Sequence, residues 1–170
     1  MGYIKITLII FVLLFIGIRC KSKVEYLTNE DAKKMSSRIE MMYNDVDAYT
    51  AKEILDSAYV LYSPLFPVGL SGIDVLMYNI ESNARSFPDF KFKIDSFYVV
   101  KNIISAYWTA TGKNTGPLGR MPSTGKSIKV AGFAVYKVRD GKIYQMQTFW
   151  NVLDYYKQLG FQVIPPKTEK

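Results

Sequence analysis

The sequence predicts an α+β domain in which helices come first and neighbouring antiparallel strands follow. Two observations support this prediction. Apolar residues recur at helical spacing between Thr28 and Phe87, and they alternate with polar residues from Phe90 onward. The tight-turn pair Asp140-Gly141 then joins two of the strands as a hairpin. Because sequential elements usually pack together, we expect the helices to cover one face of a bent sheet.

Three helices are expected in the first half of the chain. Each is predicted from a Ser or Thr followed three residues later by an acid, which is the spacing of a capping box. The three pairs are Thr28/Asp31, Thr50/Glu53 and Ser71/Asp74. The third helix should end at Pro88, because proline disfavours helical backbone in the residue before it.

The remaining elements are predicted to be strands and one short helix. Tyr59–Tyr62 is expected to be a short strand, with Pro64 and Pro67 forcing an irregular loop after it. Four further strands are expected at Phe90–Ser96, Ile103–Thr111, Ile128–Val138 and Lys142–Trp150. A final helix over Asn151–Leu159 should stop at Gly160, since glycine adopts left-handed backbone most readily.

Length and composition fit one domain with a packed core. The chain has 170 residues, of which 49% are apolar and 15% aromatic. Its net charge is +7, but the basic residues are spread over strands and turns beside acids, so we expect no nucleic-acid partner. The chain contains no histidine, which removes the commonest general base and any His-ligated metal site. We therefore expect neither a metal nor a cofactor.

The first nineteen residues are predicted to be a targeting segment outside the fold. Lys5 supplies a positive charge, and the apolar run Ile6–Ile18 is shorter than the roughly 20 residues of a transmembrane helix. Cys20 follows directly, and this placement resembles a bacterial lipoprotein signal in which the cysteine is lipidated. Arg19 stands where such signals carry a small residue. An uncleaved membrane anchor and an ordinary secretory signal therefore stay open.

The predicted organisation is a targeting segment over 1–19, a tether over 20–27, one folded domain over 28–163 and a tail over 164–170. This order predicts an exported protein, anchored in the membrane as a lipoprotein of the bacterial cell envelope. Because Cys20 is the single cysteine of the chain, no internal disulfide can form.

The second half of the chain resembles a known family. The matching residues are Phe87-Pro88-Asp89, Trp108-Thr109-Ala110-Thr111-Gly112, Thr115-Gly116, Pro122 with Thr124-Gly125-Lys126, Asp140-Gly141-Lys142-Ile143 and Gln158-Leu159-Gly160. On these residues the chain resembles the SnoaL-like polyketide cyclase (ester cyclase) branch of the nuclear transport factor 2-like superfamily. The resemblance is best over Phe87–Phe161 and extends from about Thr28. It implies a cone: a curved antiparallel sheet wrapped around about three N-terminal helices, with a short C-terminal helix and a pocket at the open end.

The resemblance also implies where the family's chemistry would lie. In family cyclases an aspartate near the end of the last strand removes a proton from carbon next to a carbonyl. A glutamate earlier on that strand and a histidine in a turn often lie nearby. Here these positions read Asn151, Gln145 and Asn114. An amide cannot take a proton near neutral pH, so the resemblance implies a degenerate base position and no assigned catalytic residue.

Strand parity puts Gln145, Gln147 and Asn151 on one face of the last strand, and we predict that these amides converge on one cavity. Asn151 also precedes Asp154 by three residues, which fits an N-cap of the last helix equally well. The aromatic members of the site also fit plain core packing. The predicted ligand-binding residues are Gln145, Gln147, Asn151, Asn114, Trp108, Tyr62 and Tyr43.

Three functions stay open. The first is a binding module that holds a small, largely apolar or carbonyl-containing ligand in the cone pocket without proton transfer. The second is a cyclase or isomerase that acts at carbon next to a carbonyl. The third is a dimerisation or interaction module that uses the convex face of the sheet, with a homodimer as one form. The missing carboxylate and histidine favour the first function over the second.

Overall fold

The protein is described by a computed structural model that covers residues 26–162 and residue 164. These residues form four helices and one curved, open sheet of six strands. The helices are α1 (Asn29–Asn44), α2 (Ala48–Ile54), α3 (Ile73–Ser86) and α4 (Val152–Gln158). The strands are β1 (Leu55–Ser63), β2 (Phe66–Ser71), β3 (Lys91–Val100), β4 (Ile103–Lys113), β5 (Ser127–Arg139) and β6 (Lys142–Trp150). The predicted α+β class is confirmed.

The targeting segment predicted over 1–19 and the lipidation site predicted at Cys20 lie outside the described residues. Within the part that is described, no helix combines the length and the hydrophobicity that a bilayer span requires.

The sheet has the strand order β2-β1-β6-β5-β4-β3. All neighbours are antiparallel except β1 and β6, which pair in parallel through Val60 opposite Gln145 and Tyr62 opposite Gln147. The curved sheet, predicted as antiparallel, is therefore mixed, with β1 and β6 as its parallel pair. Parallel neighbours need a long crossover, and the chain between β1 and β6 provides it with β2, α3 and the three strands β3 to β5.

Only one of the three predicted capping boxes is present. Thr28 Oγ1 accepts a hydrogen bond from the Asp31 amide at 3.1 Å, and the Asp31 carboxylate accepts one from the Thr28 amide at 3.0 Å. The second helix begins earlier than predicted, because the Asp47 side chain caps it by accepting from the amides of Tyr49 and Thr50. The third helix follows Gly72 and has no side-chain cap bond.

The strand predictions are confirmed for β3 to β6 within a few residues at each end, whereas the region before α3 differs. β1 is longer than the predicted four residues, and the predicted loop contains a further strand, β2. Pro67 fits there because β2 lies at the edge of the sheet, where a missing N–H breaks no ladder bond. The predicted helix ends at Pro88 and Gly160 are confirmed: α3 ends two residues before the proline, and Gly160 has a φ of 92°.

α1 closes the other edge of the sheet at β3. The Asn44 side chain donates to the Phe92 carbonyl at 2.9 Å and accepts from the Phe92 amide at 2.7 Å. Glu40 accepts from the Ile94 amide at 2.6 Å. These contacts satisfy backbone groups that an edge strand would otherwise expose. They also fix α1 across one side of the core, which leaves a cavity between the helices and the sheet.

Candidate functional site

A largely apolar cavity of about 480 Å³ lies between the inner face of the sheet and helices α1, α3 and α4. This volume is in the range of small-molecule sites, roughly 300–1,000 Å³. Every strand contributes to its wall, and so do residues 118, 119 and 121 of the loop between β4 and β5. The aromatic lining residues are Tyr43, Phe66, Phe90, Phe92, Trp108, Trp150, Tyr155 and Tyr156.

The aromatic rings form two clusters on the cavity wall. In the first, the Phe92 ring lies 4.8 Å from the Tyr43 ring and 5.5 Å from the Trp108 ring, measured between centroids. In the second, Trp150 and Tyr155 meet edge to face at 5.5 Å. Flat aromatic walls of this kind suit planar apolar ligands, because they offer large contact areas with few rotatable bonds.

Trp108 lies in the wall because of a glycine on the next strand. A Cβ atom at Gly132 would overlap the Trp108 ring and would approach the Phe149 carbonyl oxygen to 2.7 Å. The indole therefore crosses β5 at this glycine, and its N–H donates to Thr148 Oγ1 on β6 at 3.1 Å. Since the single indole donor is already used, Trp108 offers a ligand its ring and not a hydrogen bond.

No ionic side chain reaches the cavity: among the described residues, its lining has no Asp, Glu, Lys or Arg. Burial raises the pKa of Tyr43 to about 12. The pKa of Tyr155 is also raised to about 12, first by burial and then by the neighbouring Tyr156. Both phenols are therefore neutral at physiological pH. The other lining residues with hydroxyl or amide side chains are Ser63, Asn79, Ser82, Asn83, Ser86, Thr148 and Tyr156.

The predicted site residues divide between the cavity and other places. Tyr43 and Trp108 line the cavity, and Tyr62 does not. The prediction that Gln145 and Gln147 lie in the cavity is wrong. The cavity-lining residues of β6 are Met146, Thr148 and Trp150.

The parity prediction for β6 was right, but the face assigned to the cavity was wrong. Gln145 and Gln147 lie on the side turned away from the cavity, where the Gln145 side chain accepts from Lys137 Nζ at 3.4 Å and Gln147 is exposed. Alternation fixes which residues share a face of a strand, but it does not say which face is inside. The sequence feature that could have identified the inner face is its greater hydrophobicity, since Met146 and Trp150 lie on it.

Asn151 and Asn114 have structural roles, and neither lines the cavity. The Asn151 side chain accepts from the Asp154 amide at 2.9 Å, so the N-cap interpretation is confirmed. Asn114 is fully buried, and its Nδ2 donates to the carbonyls of Ser86 at 3.0 Å and Gly116 at 2.9 Å. Its Oδ1 accepts from the Thr124 amide at 2.7 Å. Asn114 therefore ties the loop between β4 and β5 to the end of α3.

Asn151→Ala is expected to lower the free energy of unfolding by about 1 kcal/mol, because α4 loses its N-cap. The affinity of the cavity for a ligand should stay unchanged, since the side chain points to a backbone amide outside the cavity. Chemical denaturation and a ligand titration on the same variant separate the two roles. If the free energy of ligand binding falls by more than the free energy of unfolding, the cap assignment is contradicted and Asn151 contacts the ligand.

A cluster of phenols behind the cavity wall was not predicted from the sequence. Met146 lines the cavity, and its Sδ lies 3.5 Å from the Tyr59 hydroxyl and 4.0 Å from the Tyr43 hydroxyl. Tyr136 is directly opposite Met146 on β5 and is fully buried. Burial raises the pKa of Tyr59 and of Tyr136 well above the usual range, with smaller contributions from the neighbouring tyrosines.

The raised tyrosine pKa values predict a loss of stability in alkaline solution. An unfolded tyrosine releases its proton near pH 10, whereas native Tyr43 keeps it until about pH 12. The native state therefore binds more protons in this window, and the free energy of unfolding falls as the pH rises from about 10 through about 12. Thermal unfolding between pH 8 and 12 measures the slope. The stability of Tyr43→Phe should fall less steeply with pH than that of the wild type. Equal slopes would show that deprotonation of Tyr43 does not cause the loss.

The curved sheet and its apolar cavity define a class of small α+β domains that either bind or transform small molecules. Within this class the chain belongs to the SnoaL-like polyketide cyclase family, whose model matches residues 33–159. The family predicted from the sequence is thus confirmed. No curated protein matches the chain.

Three solved structures show the same fold. TsrD from Streptomyces laurentii has a TM-score of 0.70 at 22% identity, over 79% of this chain and 98% of that one. AclR from Streptomyces galilaeus has a TM-score of 0.69 at 18% identity, over 82% and 87%. IdmH from Streptomyces antibioticus has a TM-score of 0.65 at 18% identity, over 76% and 98%. AclR is provisionally designated a hydroxylase and IdmH a polyketide cyclase, so similarity of fold does not fix the reaction.

Proposed function

We propose that this domain binds a small, uncharged and largely apolar ligand in its cavity and performs no acid–base catalysis on it. The observation that supports this most is the lining, which combines aromatic walls with neutral polar groups. Burying an apolar ligand against such walls stabilises the complex by about 25 cal/mol per Å² of apolar surface removed from water. A charged ligand would lose its hydration and find no ion to pair with.

The three positions where family cyclases carry acid–base groups support a function without proton transfer. Asn151 caps α4, Gln145 lies on the outer face of β6, and all three hydrogen bonds of the Asn114 side chain are made within the protein. None of these amides can accept a proton near neutral pH. The protonated state of Tyr43 removes a further candidate base from the cavity.

Ligand binding can be followed through the two tryptophans of the chain, because both Trp108 and Trp150 line the cavity. We expect the neutral ketone 9-fluorenone to quench their fluorescence with a dissociation constant in the micromolar range, and its 2-carboxylate to bind at least tenfold more weakly. Ala110→Phe places a large side chain in the cavity and should abolish binding.

The matched control is Ala131→Phe, the same substitution at an exposed position of the neighbouring strand. It should leave the affinity for 9-fluorenone unchanged. Equal affinity in the wild type, Ala110→Phe and Ala131→Phe would show that the ligand binds elsewhere and would contradict the proposal.

Family membership favours an alternative function, that of a cyclase or isomerase which polarises a carbonyl through tyrosine and amide groups. The test is deuterium exchange at the carbon next to the carbonyl of 1-indanone in D2O, followed by NMR. Our proposal predicts the same exchange rate with and without the protein. An acceleration that Ala110→Phe removes and Ala131→Phe keeps would establish the enzymatic alternative.

We further propose that the chain is exported and anchored to the membrane through Cys20. The apolar run Ile6–Ile18, which ends two positions before Cys20, supports this, and residues 20–27 would separate the anchor from α1. Mass spectrometry of the mature protein made in a bacterium tests it. We expect an N-terminal, lipid-modified Cys20, and the modification should be missing in Cys20→Ser. A mature chain that keeps residues 1–19 would contradict the proposal.

A homodimer formed through the outer face of the sheet is the remaining candidate. Tyr107, Phe133 and Phe149 form a row across three strands, with the Tyr107 and Phe133 rings 5.1 Å apart and Phe149 52% exposed. Such a row favours contact with a second apolar surface, and a second copy of the chain would offer the same row. Sedimentation should show dimers that Phe149→Lys converts to monomers. Monomers in the wild type at high concentration would exclude this candidate.

A further inference from the structure

The inner wall of the cavity at Met146 has an unusual hydrogen-bonding arrangement. The Met146 sulfur faces the Tyr59 hydroxyl at 3.5 Å and the Tyr43 hydroxyl at 4.0 Å. A thioether is a weak acceptor, whereas a phenol is a good donor. Two good donors therefore share one weak acceptor at a point where the wall meets the cavity.

Tyr136 adds a third donor to this part of the wall. Its side chain is 1% exposed, and among the described residues its hydroxyl has no hydrogen-bond partner. Tyr136 lies beside Met146 across the β5–β6 pair. A buried hydroxyl without a partner costs about 1–3 kcal/mol, so the native state retains an unfavourable group directly behind the cavity wall.

We infer that Tyr43, Tyr59 and Tyr136 form a donor site for an uncharged oxygen acceptor of the ligand, such as a ketone carbonyl, which enters when the Met146 side chain moves aside. This inference rests on the proposed function, because it assigns a binding site to the polar end of the same ligand. Methionine suits the position, since its unbranched side chain has three rotatable bonds and changes rotamer at little cost.

The chemistry of the three phenols selects a neutral acceptor. Burial holds each hydroxyl protonated, so the cluster donates hydrogen bonds and carries no charge. A carbonyl oxygen accepts such bonds without the desolvation cost of a carboxylate. A ligand that offers only hydrocarbon to this end would give the Tyr136 hydroxyl no acceptor, and the part of the chain that the structure describes offers it none either.

The test compares 9-fluorenone with fluorene, which has the same tricyclic frame with CH₂ in place of C=O. Calorimetric titration of the full chain gives both dissociation constants. In a purely apolar cavity fluorene should bind more tightly, because the ketone loses hydration without compensation. With the donor site present, 9-fluorenone should bind about tenfold more tightly than fluorene, the equivalent of one or two net hydrogen bonds.

Tyr136→Phe is the decisive variant, because it removes one buried hydroxyl and leaves the ring. We expect the tenfold preference for 9-fluorenone to fall to about threefold or less, while the affinity for fluorene is unchanged. Without ligand, the variant should be as stable as the wild type or more stable, since the lost hydroxyl has no partner among the described residues. Tyr107→Phe, at an exposed tyrosine on the outer face, is the matched control and should keep the preference.

The outcomes separate this inference from the proposed function. If the wild type binds fluorene at least as tightly as 9-fluorenone, and Ala110→Phe binds neither, the cavity is confirmed and the donor site is overturned. A preference that persists in Tyr136→Phe also overturns it, as does a marked loss of stability in unliganded Tyr136→Phe. If neither compound binds the wild type, both the proposed function and this inference fail.

Discussion

Asn114→Ala is expected to lower the free energy of unfolding by about 3 kcal/mol or more. The buried side chain makes three hydrogen bonds, to the Ser86 and Gly116 carbonyls and from the Thr124 amide. The variant leaves the Gly116 carbonyl and the Thr124 amide without these partners, at a cost of about 1–3 kcal/mol each, and the Ser86 carbonyl keeps only its bond from the Gly116 amide. Denaturant unfolding followed by tryptophan fluorescence measures the change, and we expect a lower midpoint with an unchanged slope.

Asn114→Asp sharpens this test, because the two side chains have nearly the same shape. A carboxylate cannot donate to the Ser86 and Gly116 carbonyls, so this variant should be at least as destabilised as Asn114→Ala. Asn29→Ala, at an exposed position on α1, is the matched control and should shift stability by less than about 0.5 kcal/mol. Wild-type stability in both Asn114 variants would contradict the scaffold role and return this residue to the candidate site.

Gly132→Val is expected to lower the free energy of unfolding by up to about 3 kcal/mol and to weaken ligand binding as well. The added side chain would occupy the space where the Trp108 indole crosses β5. Overpacking of this kind costs about 1–3 kcal/mol, and displacement of the indole breaks its hydrogen bond to Thr148. The tryptophan emission spectrum should shift, since the indole moves relative to the cavity.

A double-mutant cycle distinguishes this overlap from a general effect of valine in β5. Trp108→Leu replaces the indole with a smaller side chain, so adding Gly132→Val to this background should cost less than adding it to the wild type. The cost that remains comes from the approach of the new Cβ atom to the Phe149 carbonyl oxygen. Ala131→Val, at the neighbouring exposed position, should change stability little. If the effects of Gly132→Val and Trp108→Leu on the free energy of unfolding are additive, overlap with the Trp108 indole is not the reason why glycine is needed at position 132.

The fold could be predicted from the sequence because local patterns and packing agree over most of the chain. β6 was predicted with its observed bounds, and the Thr28 capping box, the helix end before Pro88 and the left-handed Gly160 were right. Each depends on interactions within a few residues. The predicted Thr50/Glu53 capping box is absent because Asp47 caps the helix three residues earlier, where its carboxylate accepts from the Tyr49 and Thr50 amides and from the Thr50 hydroxyl. A spacing rule cannot tell which of two suitable side chains takes the cap position.

The cavity could be predicted less well, because its residues meet only through the tertiary fold. Tyr43 and Trp108 were chosen for their type and do line it. Gln145 and Gln147 were chosen by parity, but the curvature of the sheet decides which face is inside, and that is a property of all six strands. The contact between Tyr59 and Met146 joins residues 87 positions apart, and no local pattern indicates it.

The central claim is that the cavity holds a small neutral ligand, and native mass spectrometry of the full chain purified from cells tests it most directly. Spectra are recorded before and after extraction with organic solvent, for the wild type and for Ala110→Phe. The claim predicts an additional mass of a few hundred daltons on the wild type, removed by extraction and absent from Ala110→Phe. The same additional mass on both proteins, or none on the wild type, would contradict it.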